Sequence, residues 1–116
     1  MDPAMGLIIG FLALAGVVYM LAGGTNNQLG PLVKAGHQVI DVRSEEEFRE
    51  EHVKGALNIP VDQVGVRVSE LGPPAKIIVY CRSGMRSRRA AQILRAAGFD
   101  VIDAGRLTAF HPDLRE

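Results

Sequence analysis

At 116 residues the chain has room for one small domain and little more. Thirteen Lys and Arg balance thirteen Asp and Glu, so the total charge draws the molecule toward neither nucleic acid nor an anionic surface. A single cysteine excludes an internal disulfide and a cysteine cluster for zinc or iron. The three histidines, His37, His52 and His111, stand in separate segments without ligand spacing, so no metal and no cofactor is expected.

The first predicted element is apolar. No charged side chain occurs from Pro3 to Val33, and Met5 to Ala22 is an almost unbroken apolar run of 18 residues. With the flanking Pro3, Ala4, Gly23 and Gly24 this run reaches the ~30 Å of a bilayer's hydrocarbon, which predicts one membrane-spanning helix over residues 1–24. A cleavable signal peptide is the competing reading. Ala22-Gly23-Gly24 would serve as its cleavage site, but the positively charged start is missing, Asp2 is acidic, and the run is longer than usual. Lys34 and Arg43 follow the run and no basic residue precedes it, which places the rest of a single-pass protein on the cytoplasmic side; a lone reduced cysteine agrees. Gly6 and Gly10 form a G-x-x-x-G pair, a means for two such helices to meet as a homodimer, although glycine is common in membrane helices for other reasons.

Residues 25–36 read as a polar tether and a first helix, Gln28 to Ala35, ended by Gly36. Residues 37–116 read as the folded domain. Gln38 to Val42 is a nearly continuous apolar strand, and Ser44 with Glu47 makes a capping box for a short acidic helix through Glu51. Gly55 to Ile59 is a second strand closed by Pro60. Val64, Val68 and Leu71 have helical spacing within Val61 to Leu71, which Gly72-Pro73-Pro74 stops. Lys76 to Tyr80, with three β-branched residues in a row, is a buried strand. Ala90, Ile93, Leu94 and Ala97 then mark one face of a helix that Gly98 ends, and Phe99 to Asp103 is a last strand. The fold class is therefore α/β, a small, mostly parallel sheet flanked by helices and preceded by one transmembrane helix.

Between the Lys76 strand and the helix after it lies Cys81-Arg82-Ser83-Gly84-Met85-Arg86-Ser87. A tight loop from strand to helix turns backbone N–H groups inward, and the first turn of the helix adds its own unpaired amides, which makes a cup for an anion. On its rim, Cys81 would be favoured as a thiolate by the helix dipole and by Arg82 and Arg86. The competing reading is a small buried hydrophobe. Charge is unevenly placed: Asp41 to Glu51 holds six acids and two arginines, whereas Arg82 to Arg95 holds five arginines and no acid. Arg82 and Arg86 are candidates for binding an anionic substrate; Arg88, Arg89 and Arg95 read as a solvated basic face.

Three segments in order, Val39-Ile40-Asp41-Val42-Arg43 with Glu47-Phe48, His52-Val53-Lys54-Gly55-Ala56-Leu57-Asn58-Ile59-Pro60, and the Cys81 loop, resemble those of the rhodanese-family sulfurtransferases. The resemblance covers about Gln28 to Phe110 and weakens after Asp103, where Gly105-Arg106 stands in place of a glycine pair and no tryptophan follows. It implies a sulfurtransferase of the thiosulfate type. The Cys81 thiolate takes sulfane sulfur from a small anionic donor such as thiosulfate, holds it as a persulfide, and passes it to a thiol or cyanide acceptor. Arg82, Ser83, Gly84, Met85, Arg86 and Ser87 would bind the donor. Asp41 and Arg43 would brace the sheet and its loops, and His52 would be structural. Two other readings remain: a membrane-tethered persulfide carrier or binding module without turnover, and phosphatase- or arsenate-type chemistry. The latter uses a Cys-x5-Arg loop, and here only four residues separate Cys81 from Arg86.

Overall fold

The computed structural model describes residues 25–72 and 76–116. Four strands, β1 (Gln38–Asp41), β2 (Leu57–Asn58), β3 (Lys76–Cys81) and β4 (Asp100–Arg106), form one sheet in the order β2-β1-β3-β4, and every pairing is parallel. Helix α1 (Leu29–Lys34) precedes β1, while α2 (Glu45–Glu50), α3 (Val64–Arg67) and α4 (Met85–Ala96) occupy the connections. This is the α/β arrangement expected, a parallel sheet flanked by helices.

The run of apolar residues in β3 has its reason in the two faces it serves. Ile77, Val79 and Cys81 pack into one buried cluster with Ile40, Val42, Val64 and Leu94. Ile78 and Tyr80 alternate into a second cluster with Leu29, Val39, Val53 and Phe110. A parallel strand covered on both sides has no solvent face on which polar residues would alternate. From β1 the chain moves to β2 on one side, then crosses to β3 on the other. The carboxyl ends of β1 and β3 therefore border the crevice where the winding reverses, the usual place for a site in such sheets.

Several boundaries differ from the sequence reading. β2 keeps two residues of the expected Gly55 to Ile59, and beside it the Asn58 side-chain amide donates to the carbonyls of Asp41 and Arg43, both at 3.0 Å. Val61 to Leu71 is divided into a 3₁₀ turn, α3 and another 3₁₀ turn. Four valines and Gly65 make that segment a poor continuous helix. β4 extends past Asp103 to Arg106 through a register shift: Val79 faces Asp103, but Tyr80 faces Gly105, which leaves Ala104 as the extra residue.

The membrane reading needs correction. The expected transmembrane helix over residues 1–24 and its Gly6/Gly10 pair lie outside the described residues, and among the described residues no helix is long and apolar enough to cross a membrane. What the described residues show is the α/β domain alone, and membrane partnership, single-pass topology with its cytoplasmic sidedness, and dimerisation through Gly6 and Gly10 are withdrawn.

At the ends of β1 and β3 a charged pair is buried. The Arg43 guanidinium donates to both oxygens of Asp41, at 2.6 Å for the shortest bond, and to the carbonyl of Glu51; Asp41 has no exposed surface and Arg43 has 6%. The Tyr80 hydroxyl donates to Asp41 Oδ2 at 2.7 Å and accepts from the Val53 N–H at 3.0 Å. Burial, together with its bond to Asp41, raises the Tyr80 hydroxyl above the ordinary tyrosine range. Burial pulls the Arg43 guanidinium down, but the Asp41 hydrogen bond and charge outweigh it and hold it raised. In the low-dielectric interior such a network is secure only when every member is satisfied. Tyr80→Phe leaves the Val53 N–H unpaired and Asp41 short of one donor, so we expect a loss of about 1–3 kcal/mol in urea unfolding. A loss within a few tenths would show that the hydroxyl contributes little.

Candidate active site

Cys81 is the last residue of β3, and the loop after it turns at once into α4. The turn is made at Gly84, whose φ of +99° lies in the left-handed region that a side chain strains to adopt. From there the Gly84 N–H donates back to Cys81 Sγ at 3.0 Å, while the Gly84 carbonyl accepts the first helical bond from the Arg88 N–H at 3.1 Å. Gly84 is thus the loop amide that meets the sulfur. On the other side, Sγ donates to the Gly105 carbonyl at 3.4 Å, and that carbonyl also lies 3.4 Å from the hydroxyl of buried Ser87. The bulge at Ala104 brings Gly105 opposite the end of β3 and makes these contacts available.

The structure brings together part of the expected set. Cys81, Gly84 and Ser87 form the closed floor around the sulfur, and Cys81 itself has no exposed surface. Arg82 and Ser83 face solvent, and Met85 is 79% exposed. Arg86 is placed differently from a free anion ligand: its two terminal nitrogens donate to the two oxygens of Glu47, at 2.6 and 3.0 Å. Asp41 and Arg43 lie in the buried network at the ends of the neighbouring strands. His52 stacks on Phe48 with ring centroids 3.9 Å apart, and its Nδ1 lies 2.7 Å from the Phe48 carbonyl.

Glu47 was legible in the sequence only as a helix cap. It fills that role: the Ser44 hydroxyl accepts from the Glu47 N–H, and the Glu47 carboxylate accepts from the Ser44 N–H. The same carboxylate also grips Arg86, 39 residues further along the chain. The Arg86 hydrogen bonds, against a smaller opposing effect of burial, hold the Glu47 carboxyl at about 2, well below the usual glutamate range. The pair ties α2 to the first turn of α4. No spacing rule announces a partner at that distance, and for the same reason the contacts of Tyr80 with Asp41 and of Gly105 with Cys81 were not legible in the sequence.

Beside the loop is a cleft of about 260 Å³, bordered by Arg43, Arg82, Glu47, Glu50, Glu51, Leu107 and Thr108. Arg82 is the loop guanidinium that reaches it and is in no ion pair among the described residues. Arg106, at the end of β4 in register with Cys81, is exposed. Among the described residues no three His, Cys, Asp or Glu side chains group as a metal site would. The site therefore offers one sulfur, amide and hydroxyl donors at its floor, and exposed positive charge at its rim.

This arrangement has known counterparts. The model of the rhodanese-like domain matches residues 25–104. A Bacillus subtilis protein, YqhL, is 36% identical over 101 residues, which cover 79% of this chain and 80% of that one. The thiosulfate sulfurtransferase PspE of Escherichia coli is 37% identical over 75 residues, covering 63% and 71%. Among solved structures, an E. coli rhodanese with anions superposes with a TM-score of 0.60 at 37% identity, over 65% of this chain and 92% of that one. The chain belongs to the rhodanese-like domain family, and its chemistry is rhodanese-type sulfur transfer through a cysteine intermediate.

Proposed function

We propose that the chain moves sulfane sulfur from thiosulfate, or a donor of the same anionic kind, to a thiol or cyanide through a persulfide on Cys81. The Cys81 thiolate attacks the outer sulfur of the donor, the S–S bond breaks, and sulfite leaves with the electron pair. The acceptor then attacks the outer sulfur of the persulfide and Cys81 departs as thiolate, so one cysteine closes the cycle. The observation that carries this reading is the Gly84 N–H on Sγ at 3.0 Å, a fixed donor that favours negative charge on sulfur. The thiosulfate sulfurtransferase among the relatives supports the choice of donor.

Roles within the loop divide by what each guanidinium touches. Arg82, unpaired and bordering the cleft, meets the donor's sulfonate end. Arg86, held on both nitrogens by Glu47, fixes the loop against α2 and acts as a positioning residue. With that arginine engaged, the group a Cys-x5-Arg enzyme would present to phosphate is occupied, which favours sulfur over phosphoester chemistry.

Two measurements test the assignment. Incubation with thiosulfate should add the mass of one sulfur atom, about 32 Da, to the intact protein, and a thiol should remove it; Cys81→Ser should show neither the gain nor turnover. Unchanged transfer by the serine variant would end the proposal. If Glu47 and Arg86 act as one unit, Glu47→Gln and Arg86→Ala should each lower kcat with little change in KM, and the double variant should be no worse than the poorer single one. Additive losses would mean that Arg86 binds substrate independently. The sign for pH follows from the depressed Glu47 carboxyl: the contribution of the pair to stability is complete above ~4.5, the ordinary glutamate value, and is lost as pH falls through about 2.

A further inference from the structure

Besides the loop, one charged surface has no use in the mechanism. Met85, Arg88, Arg89 and Gln92 fall at i, i+3, i+4 and i+7 along α4, on the side opposite buried Ser87, Ala90, Ala91 and Leu94, so they share its outer face. The face begins at the cysteine loop. Arg43, Arg49, Arg67, Arg86 and Arg115 each have a carboxylate partner, whereas among the described residues Arg82, Arg88, Arg89 and Arg106 form no ion pair. Among the described residues Arg95, Lys34 and Lys54 form no ion pair either, but Arg82, Arg88 and Arg89 stand together on the cysteine loop and the first turns of α4, beside Cys81. The same face carries Met85, which with Val66 is one of two large apolar side chains left exposed among the described residues. Methionine and arginine together mark protein-binding surfaces, where a flexible thioether adapts to its partner.

We propose that this face, Arg82, Met85, Arg88 and Arg89, docks an acidic segment of a partner protein whose cysteine is the acceptor of the Cys81 sulfur; this rests on the sulfur-transfer reading above. A partner protein fits better than a nucleic acid or an anionic membrane. The Arg86–Glu47 pair holds α2 against the start of α4, and α2 exposes Glu45, Glu46 and Glu50 on that flank. A uniform polyanion laid across the site would be repelled there, whereas a short acidic stretch on a protein meets only the arginines. In the step itself the partner's thiolate attacks the outer sulfur of the Cys81 persulfide. The S–S bond to Cys81 breaks, its electron pair stays on Cys81 as thiolate, and the partner leaves as the persulfide, with no other oxidant or reductant.

The test uses two labelled cysteine peptides of equal length, one flanked by Asp and Glu and one by Ser and Gly, with a single-stranded oligonucleotide of the acidic peptide's charge and anionic phospholipid vesicles for comparison. Binding to the full chain is read by fluorescence anisotropy at low salt, and discharge of the thiosulfate-loaded protein by intact mass. The acidic peptide should bind and discharge about tenfold better than the neutral one, and the advantage should shrink in high salt. Arg88→Glu with Arg89→Glu should erase it while leaving discharge to cyanide unchanged, since cyanide needs no docking. Equal behaviour of the two peptides, a preference that survives the double reversal, or tighter binding of the oligonucleotide or the vesicles would overturn the proposal. Failure of thiosulfate to load Cys81 would instead overturn the sulfur-transfer reading and the acceptor role with it, and the anisotropy series would still decide separately whether this face binds acidic protein.

Discussion

Tyr80 and Cys81 are consecutive in β3 and leave the sheet on opposite faces, and the organisation of the domain follows from that alternation. One residue sends its hydroxyl to Asp41 and so couples β3 to the neighbouring β1 and to the Val53 turn. The next places a sulfur at the start of the loop, between the Gly84 amide and the Gly105 carbonyl. A slip of one position in the pairing of β3 would exchange the two, putting the phenol under the loop and the thiol in the charged network. Register is thus a functional constraint, and the two buried clusters that flank β3 enforce it.

Around this strand the site is held from three directions. β1 brings Asp41 and Arg43, α2 brings Glu47, and β4 brings Gly105 by means of its bulge. The Asp41–Arg43 pair is almost wholly buried, and breaking a pair in such surroundings leaves a poorly solvated charge without its partner. The Glu47–Arg86 pair is different in kind, since both side chains keep some contact with solvent; its importance is geometric, as a bidentate clamp fixes orientation as well as distance. A closed, rigid floor under the sulfur and an open rim with free guanidinium groups suit a reaction in which a small group is handed on.

The Cys81 sulfur is also a member of the apolar cluster with Ile77, Val79 and Leu94. The two readings of a lone cysteine after an apolar strand, core hydrophobe and nucleophile, are therefore compatible in space. The backbone of Cys81 completes β3 while its sulfur meets the loop amide. What separates the readings is the polar contact at the sulfur and not the degree of burial.

Local pattern determined a good deal. The continuous apolar run of β3, the alternation of strand and helix, the Ser44–Glu47 cap and the strand–loop–helix around Cys81 are all written over a few residues, where spacing and propensity act directly. The same local evidence set the bounds of β2 too wide and read Val61 to Leu71 as one helical stretch, where crowded valines and Gly65 override the simple period, and the membrane helix it predicted over residues 1–24 lies outside the described residues. Only the tertiary structure decided that Arg86 pairs with Glu47, that Tyr80 closes a buried charge network, and that a bulge in β4 sets Gly105 beside the sulfur. Each of these joins residues 18 or more positions apart. Sequence spacing reports neighbours along the chain, but which carboxylate meets which guanidinium depends on how the strands are ordered in the sheet, and that is settled only when the layers pack.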